Sequence, residues 1–110
     1  MRHVGLGPFE FMVLLAVMRE GEDAYGVSIS REIESATGHE VAIGSVYAAL
    51  DRLQDKGLVT SSIGDPTPER GGRAKRHFRI TAKGIREARS TQQTLTKLWR
   101  GVPKLAGGTS

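Results

Sequence analysis

Over residues 8–18 the chain is apolar at Phe9, Phe11, Met12, Val13, Leu14, Leu15, Ala16, Val17 and Met18, nearly the whole circumference of a helix. A helix of that kind is buried on more than one side. In a short chain one side faces the chain's own core, and Phe11 and Leu15 are assigned to the other, against a second copy. Gly21 is read as the stop of this helix and Asp23 as the N-cap of the next one. Residues 25–37 predict a second helix, with Tyr25, Ile29, Ile33 and Ala36 on one stripe and Ser28, Arg31, Glu32 and Ser35 opposite, ended by Gly38. Residues 39–43 are short and extended, with a small strand expected around Val41.

The third helix opens at Ile43 or Gly44. Val46, Leu50 and Leu53, spaced four and three apart, share its anchored face, while Tyr47, Ala48, Asp51 and Arg52 turn toward solvent or a ligand. With Gly57 left-handed, Leu53 and Leu58 occupy the two places whose apolar contact accompanies a Schellman stop. Residues 58–63 are extended and partly β-branched, and Phe78 and Ile80 alternate with His77 and Arg79 in a second strand. Between them residues 64–72 hold two prolines and three glycines, which suit neither helix nor strand.

Thr81 is placed to cap a fourth helix, along which Ile85, Ala88, Gln92, Leu95, Trp99 and Val102 succeed one another at spacings of three and four. That is an a/d seam with one polar member, Gln92. The order of elements predicts a mainly α, α+β fold: a winged helix-turn-helix over residues 1–81, with an N-terminal apolar helix. A C-terminal dimerisation helix over residues 82–102 and a flexible tail over residues 103–110 complete it.

Composition narrows the picture. The 110 residues, 38% hydrophobic, support one domain with a small core, which favours burial against a second copy. Cysteine is absent, so disulfides and thiolate metal sites are excluded, and a cytoplasmic setting is the expectation. The apolar run at residues 11–18 is too short for a membrane span.

The net charge of +4 conceals an asymmetry. Residues 1–69 carry five Lys/Arg against eleven Asp/Glu, −6, while residues 70–110 carry eleven against one, +10. Charge concentrated on a hairpin and the following helix suggests a defined face against phosphate. A solvated basic helix is the plainer alternative.

These features point to double-stranded DNA as the partner. Gly44, Ser45 and Tyr47 stand in the first turn of the third helix, where the backbone can approach a phosphate and hydroxyls can reach phosphate or base edges. Ser45 is equally a plain helix-start residue, and Tyr47 could instead pack under the wing. Arg52, two turns on, is available to a phosphate or to Asp51 and Asp55. Arg70, Arg73, Lys75 and Arg76 surround the wing tip, suited to a narrow minor groove or to phosphates. Ile85, Leu95 and Trp99 are assigned to the dimer interface. His3, His39 and His77 have no metal-ligand spacing, so neither metal, cofactor nor catalysis is expected.

Four segments together resemble the PadR family of bacterial transcriptional regulators over residues 5 to about 100. They are Leu6-Gly7-Pro8-Phe9-Glu10, Tyr25-Gly26, Gly44-Ser45-Val46-Tyr47 with Leu50, Leu53 and Gly57-Leu58-Val59, and Gly71-Gly72-Arg73 leading through Phe78-Arg79-Ile80-Thr81 to Gly84. The resemblance is to the smaller members with a single terminal helix. It implies a homodimeric repressor on a pseudo-palindromic operator, with a winged helix from each subunit, dimerisation by the C-terminal helix and, as the sharper reading of Trp99, a cleft across the dimer that stacks a small aromatic effector. A winged helix serving only as a protein interaction module is the alternative from another class.

Overall fold

The computed structural model describes residues 6–64 and 75–103. Helix α1 (Pro8–Glu20) leads through a 3-10 turn (Gly21–Asp23) and a two-residue strand β1 (Ala24–Tyr25) into α2 (Gly26–Thr37). Helix α3 (Ile43–Asp55), strands β2 (Val59–Ile63) and β3 (Arg76–Ile80), and helix α4 (Ala82–Arg100) come next. The strands form one antiparallel sheet in the order β1-β3-β2. This is the winged helix-turn-helix.

The core lies where α1, α2 and α3 converge on the sheet. Val13, Leu14 and Val17 of α1, Ile29 of α2, Val46, Leu50 and Leu53 of α3, and Phe78 of β3 are all fully buried. Each contributes roughly 1.5–3 kcal/mol of burial. Phe78 explains why the sheet belongs to the core rather than hanging from it: its ring is sealed from solvent, and its strand pairs on both edges.

The end of α3 has the expected Schellman geometry. The Gly57 N–H donates to the Gln54 carbonyl and the Leu58 N–H to the Leu53 carbonyl, both at 2.9 Å, with Gly57 at φ 78°. Leu53 and Leu58 are both buried at that corner. The chain therefore leaves α3 with its direction fixed.

Helix α4 is fastened to the same corner. The Thr81 hydroxyl accepts the Gly84 N–H at 2.9 Å and lies 2.8 Å from the Gly57 carbonyl, while the Thr81 N–H donates to the Leu58 carbonyl at 3.0 Å. Lys83 Nζ donates to the Lys56 carbonyl at 2.9 Å. A methyl group at Gly84 would collide with the Leu58 carbonyl, so only glycine allows this approach. Past Ala88 the helix leaves the body: Gly84 and Ala88 are its buried residues, and the described residues span 58 × 34 × 20 Å.

Several expectations are corrected. The third strand is Ala24–Tyr25 rather than a segment around Val41; the Val41 N–H donates instead to the Glu34 carboxylate at 2.9 Å. Tyr25 precedes α2 as its N-cap, exchanging hydrogen bonds with Ser28, so Asp23 has no capping role. Ala36, placed on the buried stripe, is exposed. Phe11, assigned to a partner subunit, is only 9% exposed because it belongs to the chain's own core.

Candidate nucleic-acid interface

The start of α3 is built to be open. Ala42 caps it without a side-chain acceptor, and Ile43, Gly44, Ser45 and Ala48 are exposed around the first two turns. Ser45 also borders an open cavity of about 390 Å³, between the start of α1, the end of α2 and the start of α3, with Phe9, Met12, Ile33 and Val41 in its wall. A Cβ at Gly44 would meet nothing within 4 Å, and its φ is not positive. Neither internal packing nor backbone geometry asks for glycine there.

Tyr47 is half-buried beside this open surface. The phenol end of its ring lies against Gly26, the first residue of α2, so that a methyl group at Gly26 would collide with Cζ and the hydroxyl. The contact locks the starts of α2 and α3 together. It sets the angle at which α3 is presented.

The later turns of α3 are engaged within the chain. Arg52 Nε pairs with Glu10 Oε2 at 2.6 Å and Lys56 Nζ with Glu10 Oε1 at 2.7 Å. Burial alone would raise the Glu10 carboxyl, but the hydrogen bonds and charges of Lys56 and Arg52 outweigh it and hold the group below its ordinary value. Arg76, the first residue of β3, donates to Gln54 Oε1 at 2.9 Å, stands 3.4 Å from Asp51 Oδ1, and lies over the Phe78 ring at 4.9 Å. On the other edge of β3, Lys75 Nζ sits 4.2 Å from the centre of the Tyr25 ring, and His77 packs at 5.9 Å from it.

Along α4, Leu95, Leu98 and Trp99 are exposed, Trp99 at 75%, as is Val102 just beyond the helix end. Leu15 and Met18 of α1 are also exposed. A contiguous run of large apolar side chains on a helix that projects from the body is the signature of a surface made for a partner.

No cluster among the described residues could hold a metal ion, and no described helix is long and apolar enough to cross a membrane. The model of the transcriptional regulator PadR-like family matches residues 14–90. The chain belongs to the PadR-like family. It is accordingly a DNA-binding transcriptional regulator and not an enzyme. Solved PadR-like proteins share its fold: one from Eggerthella lenta is 24% identical, covering 90% of this chain and 83% of its own with a TM-score of 0.70. Another, from Bacteroides fragilis, is 22% identical over 84% of each chain, TM-score 0.72. The chain is also similar to hsRosR, solved as a complex, at 31% identity over 84% of this chain and 75% of that one, TM-score 0.67. No curated protein matches.

On this PadR-like frame the site residues expected from the sequence fall into distinct settings. Gly44 and Ser45 are exposed, Tyr47 is half-turned to α2, and Arg52 and Arg76 are each held by acceptors on the chain itself. Lys75 lies at the wing root, and Arg70 and Arg73 lie outside the described residues. Ile85 is half-buried near the body, whereas Leu15, Leu95 and Trp99 are exposed.

Sequence reasoning misses Glu10, the acceptor for two α3 cations. The signal is present: it is the one charged residue within an otherwise apolar stretch of α1. A carboxylate in that position requires a partner from elsewhere in the fold.

Proposed function

We propose that this PadR-like regulator is a cytoplasmic homodimeric repressor that binds a pseudo-palindromic operator and is released by a small flat aromatic ligand. Residues 1–81 bind DNA and residues 82–102 pair the subunits; the tail expected after residue 102 lies, but for Pro103, outside the described residues. Each subunit sets the start of α3 in the major groove, with Gly44 and Ser45 foremost, and Tyr47 beside them positions the helix through its contact with Gly26. Arg70, Arg73 and Lys75 of the wing hold the backbone, and the two half-sites lie about 34–36 Å apart.

The observation that carries the reading is the apolar stripe of Leu95, Leu98 and Trp99 on a projecting α4, with Val102 exposed just past its end. Left in water, it would make the chain associate indiscriminately. A second copy covers this stripe, with Leu15 of α1 and Ile85 of α4 as further contacts, and Trp99 from each subunit borders a cleft suited to an aromatic ring. The charge pattern supports the DNA side, since α3 itself is not basic and the +10 half supplies attraction to phosphate.

Two measurements test this. Sedimentation should give a dimer for the native chain and a monomer at micromolar concentration for Leu95→Glu, because the new carboxylate would be desolvated at the seam. DNA affinity should fall steeply with salt, and Arg73→Ala should reduce the slope by about two for a dimer, one phosphate contact per subunit. A native monomer, or a slope unchanged by that substitution, removes the corresponding half of the proposal.

A further inference from the structure

We infer that α3 discriminates its half-site mainly through the methyl groups of thymine, with Ile43 as the side chain that packs against them. The inference rests on the reading of α3 as the element in the major groove and adds how it reads.

A base edge in that groove is recognised in one of two ways. Arginine, lysine, asparagine, glutamine or a carboxylate forms hydrogen bonds matched to guanine, adenine or cytosine, or an apolar group contacts the methyl of thymine. The side chains of α3 suited to the first way are engaged or misplaced. Arg52 is held by Glu10 at 2.6 Å. Gln54 Oε1 accepts from both Arg76 at 2.9 Å and Ser61 at 3.0 Å, and the same Arg76 stands 3.4 Å from Asp51. Asp55 is the last residue of the helix, remote from the end that meets bases in helix-turn-helix proteins.

What remains at the leading end is small and apolar. Ile43 is 42% exposed at the first position of the helix, Gly44 and Ala48 add no polar atom, and Ser45 contributes a hydroxyl that accepts or donates to any base and so discriminates little alone. Tyr47 spends its ring on Gly26. Gly44, with open space where a Cβ would stand, leaves the surface beside Ile43 flat. A single exposed isoleucine is unremarkable on a protein surface. Here, among the described residues, it is the large side chain at the leading end that lies outside the core cluster and carries no polar commitment.

The test begins by selecting bound duplexes from a library with a randomised centre, using the full chain, and then remaking the selected duplex with deoxyuridine in place of single thymines. Deoxyuridine differs by one methyl group. At one position in each half-site the replacement should weaken binding about fourfold, and about 15-fold when made in both half-sites, the value of one buried carbon per site. Ile43→Ala, a surface change that leaves the core intact, should bind the thymine and uracil duplexes equally. Half-sites lacking thymine, indifference to uracil, a tenfold loss on 7-deazaguanine instead, or an Ile43→Ala protein that still distinguishes the two duplexes would each overturn the inference while leaving sequence-selective DNA binding standing. Failure to enrich any sequence would remove the operator reading as well.

Discussion

Gly44→Ala should make the protein more stable and a poorer DNA binder. In the first turn of α3 the new methyl group meets nothing within 4 Å, and the backbone is already in a region that alanine adopts. The folded state therefore takes on no strain, while the unfolded chain loses some of glycine's freedom. Substitutions of this kind stabilise by about 0.4–1 kcal/mol, with the lower half of that range apt for a helix start. For a domain of this size that is a rise in Tm of about 2–6 °C, readable by circular dichroism at one fixed protein concentration, because a dimer's Tm depends on concentration. On DNA the sign reverses. A methyl group inserted where the helix start lies against the backbone forces a separation of an ångström or more, weakening the charge-assisted contacts there, each worth about 1.5–3 kcal/mol. Losing one per subunit, two in a dimer, lowers affinity by at least about a hundredfold in fluorescence anisotropy. A variant with raised Tm and native affinity would show that the backbone at Gly44 stays clear of DNA; a lowered Tm would contradict the packing itself.

Contacts inside the chain set two further outcomes. Glu10→Gln should cost about 1–2 kcal/mol at pH 7, a figure reduced from that of a fully buried pair because Arg52 and Lys56 are partly exposed. Since the folded carboxyl lies below its ordinary value, its contribution is present at neutral pH and is lost as pH falls through that lowered value. The urea midpoints of variant and native chain should thus converge between pH 7 and pH 3, and a constant gap would refute the ion-pair account. Gly26→Ala should destabilise by about 1–3 kcal/mol, since the methyl group collides with the phenol end of Tyr47. Adding Tyr47→Ala should recover part of that loss, which a double-mutant cycle in urea measures as non-additivity.

The parts of the fold that are legible in the sequence are those specified by neighbours. The stop at Gly57 needs only Leu53, Leu58 and the left-handed residue between them, and all three are contiguous or nearly so. The cap at Thr81 is likewise local. Strand β1 escapes a pattern reading because two residues carry no periodicity; Ala24 and Tyr25 are a strand only because Phe78 and His77, more than fifty residues later, lie beside them. Phe11 is misassigned for a related reason, since a helix apolar on all sides gives no indication of which side its own chain will cover. Within the site, the exposed positions Gly44 and Ser45 are set by helical phase. The partners of Arg52 are not, as Glu10 is 42 positions away and reaches α3 only once α1 has packed.

The stiff attachment of α4 at Thr81, Lys83 and Gly84 has a geometric consequence for how two such chains address one DNA molecule. Thr81, Lys83 and Gly84 hold the start of α4 against the end of α3, so in the proposed dimer the rotational phase of one head about its partner would be set by the number of residues between Gly84 and the exposed stripe at Leu95 and Trp99. Each residue added or removed there turns the stripe by about 100°. In that dimer the length of α4 would act on operator spacing in steps of whole residues.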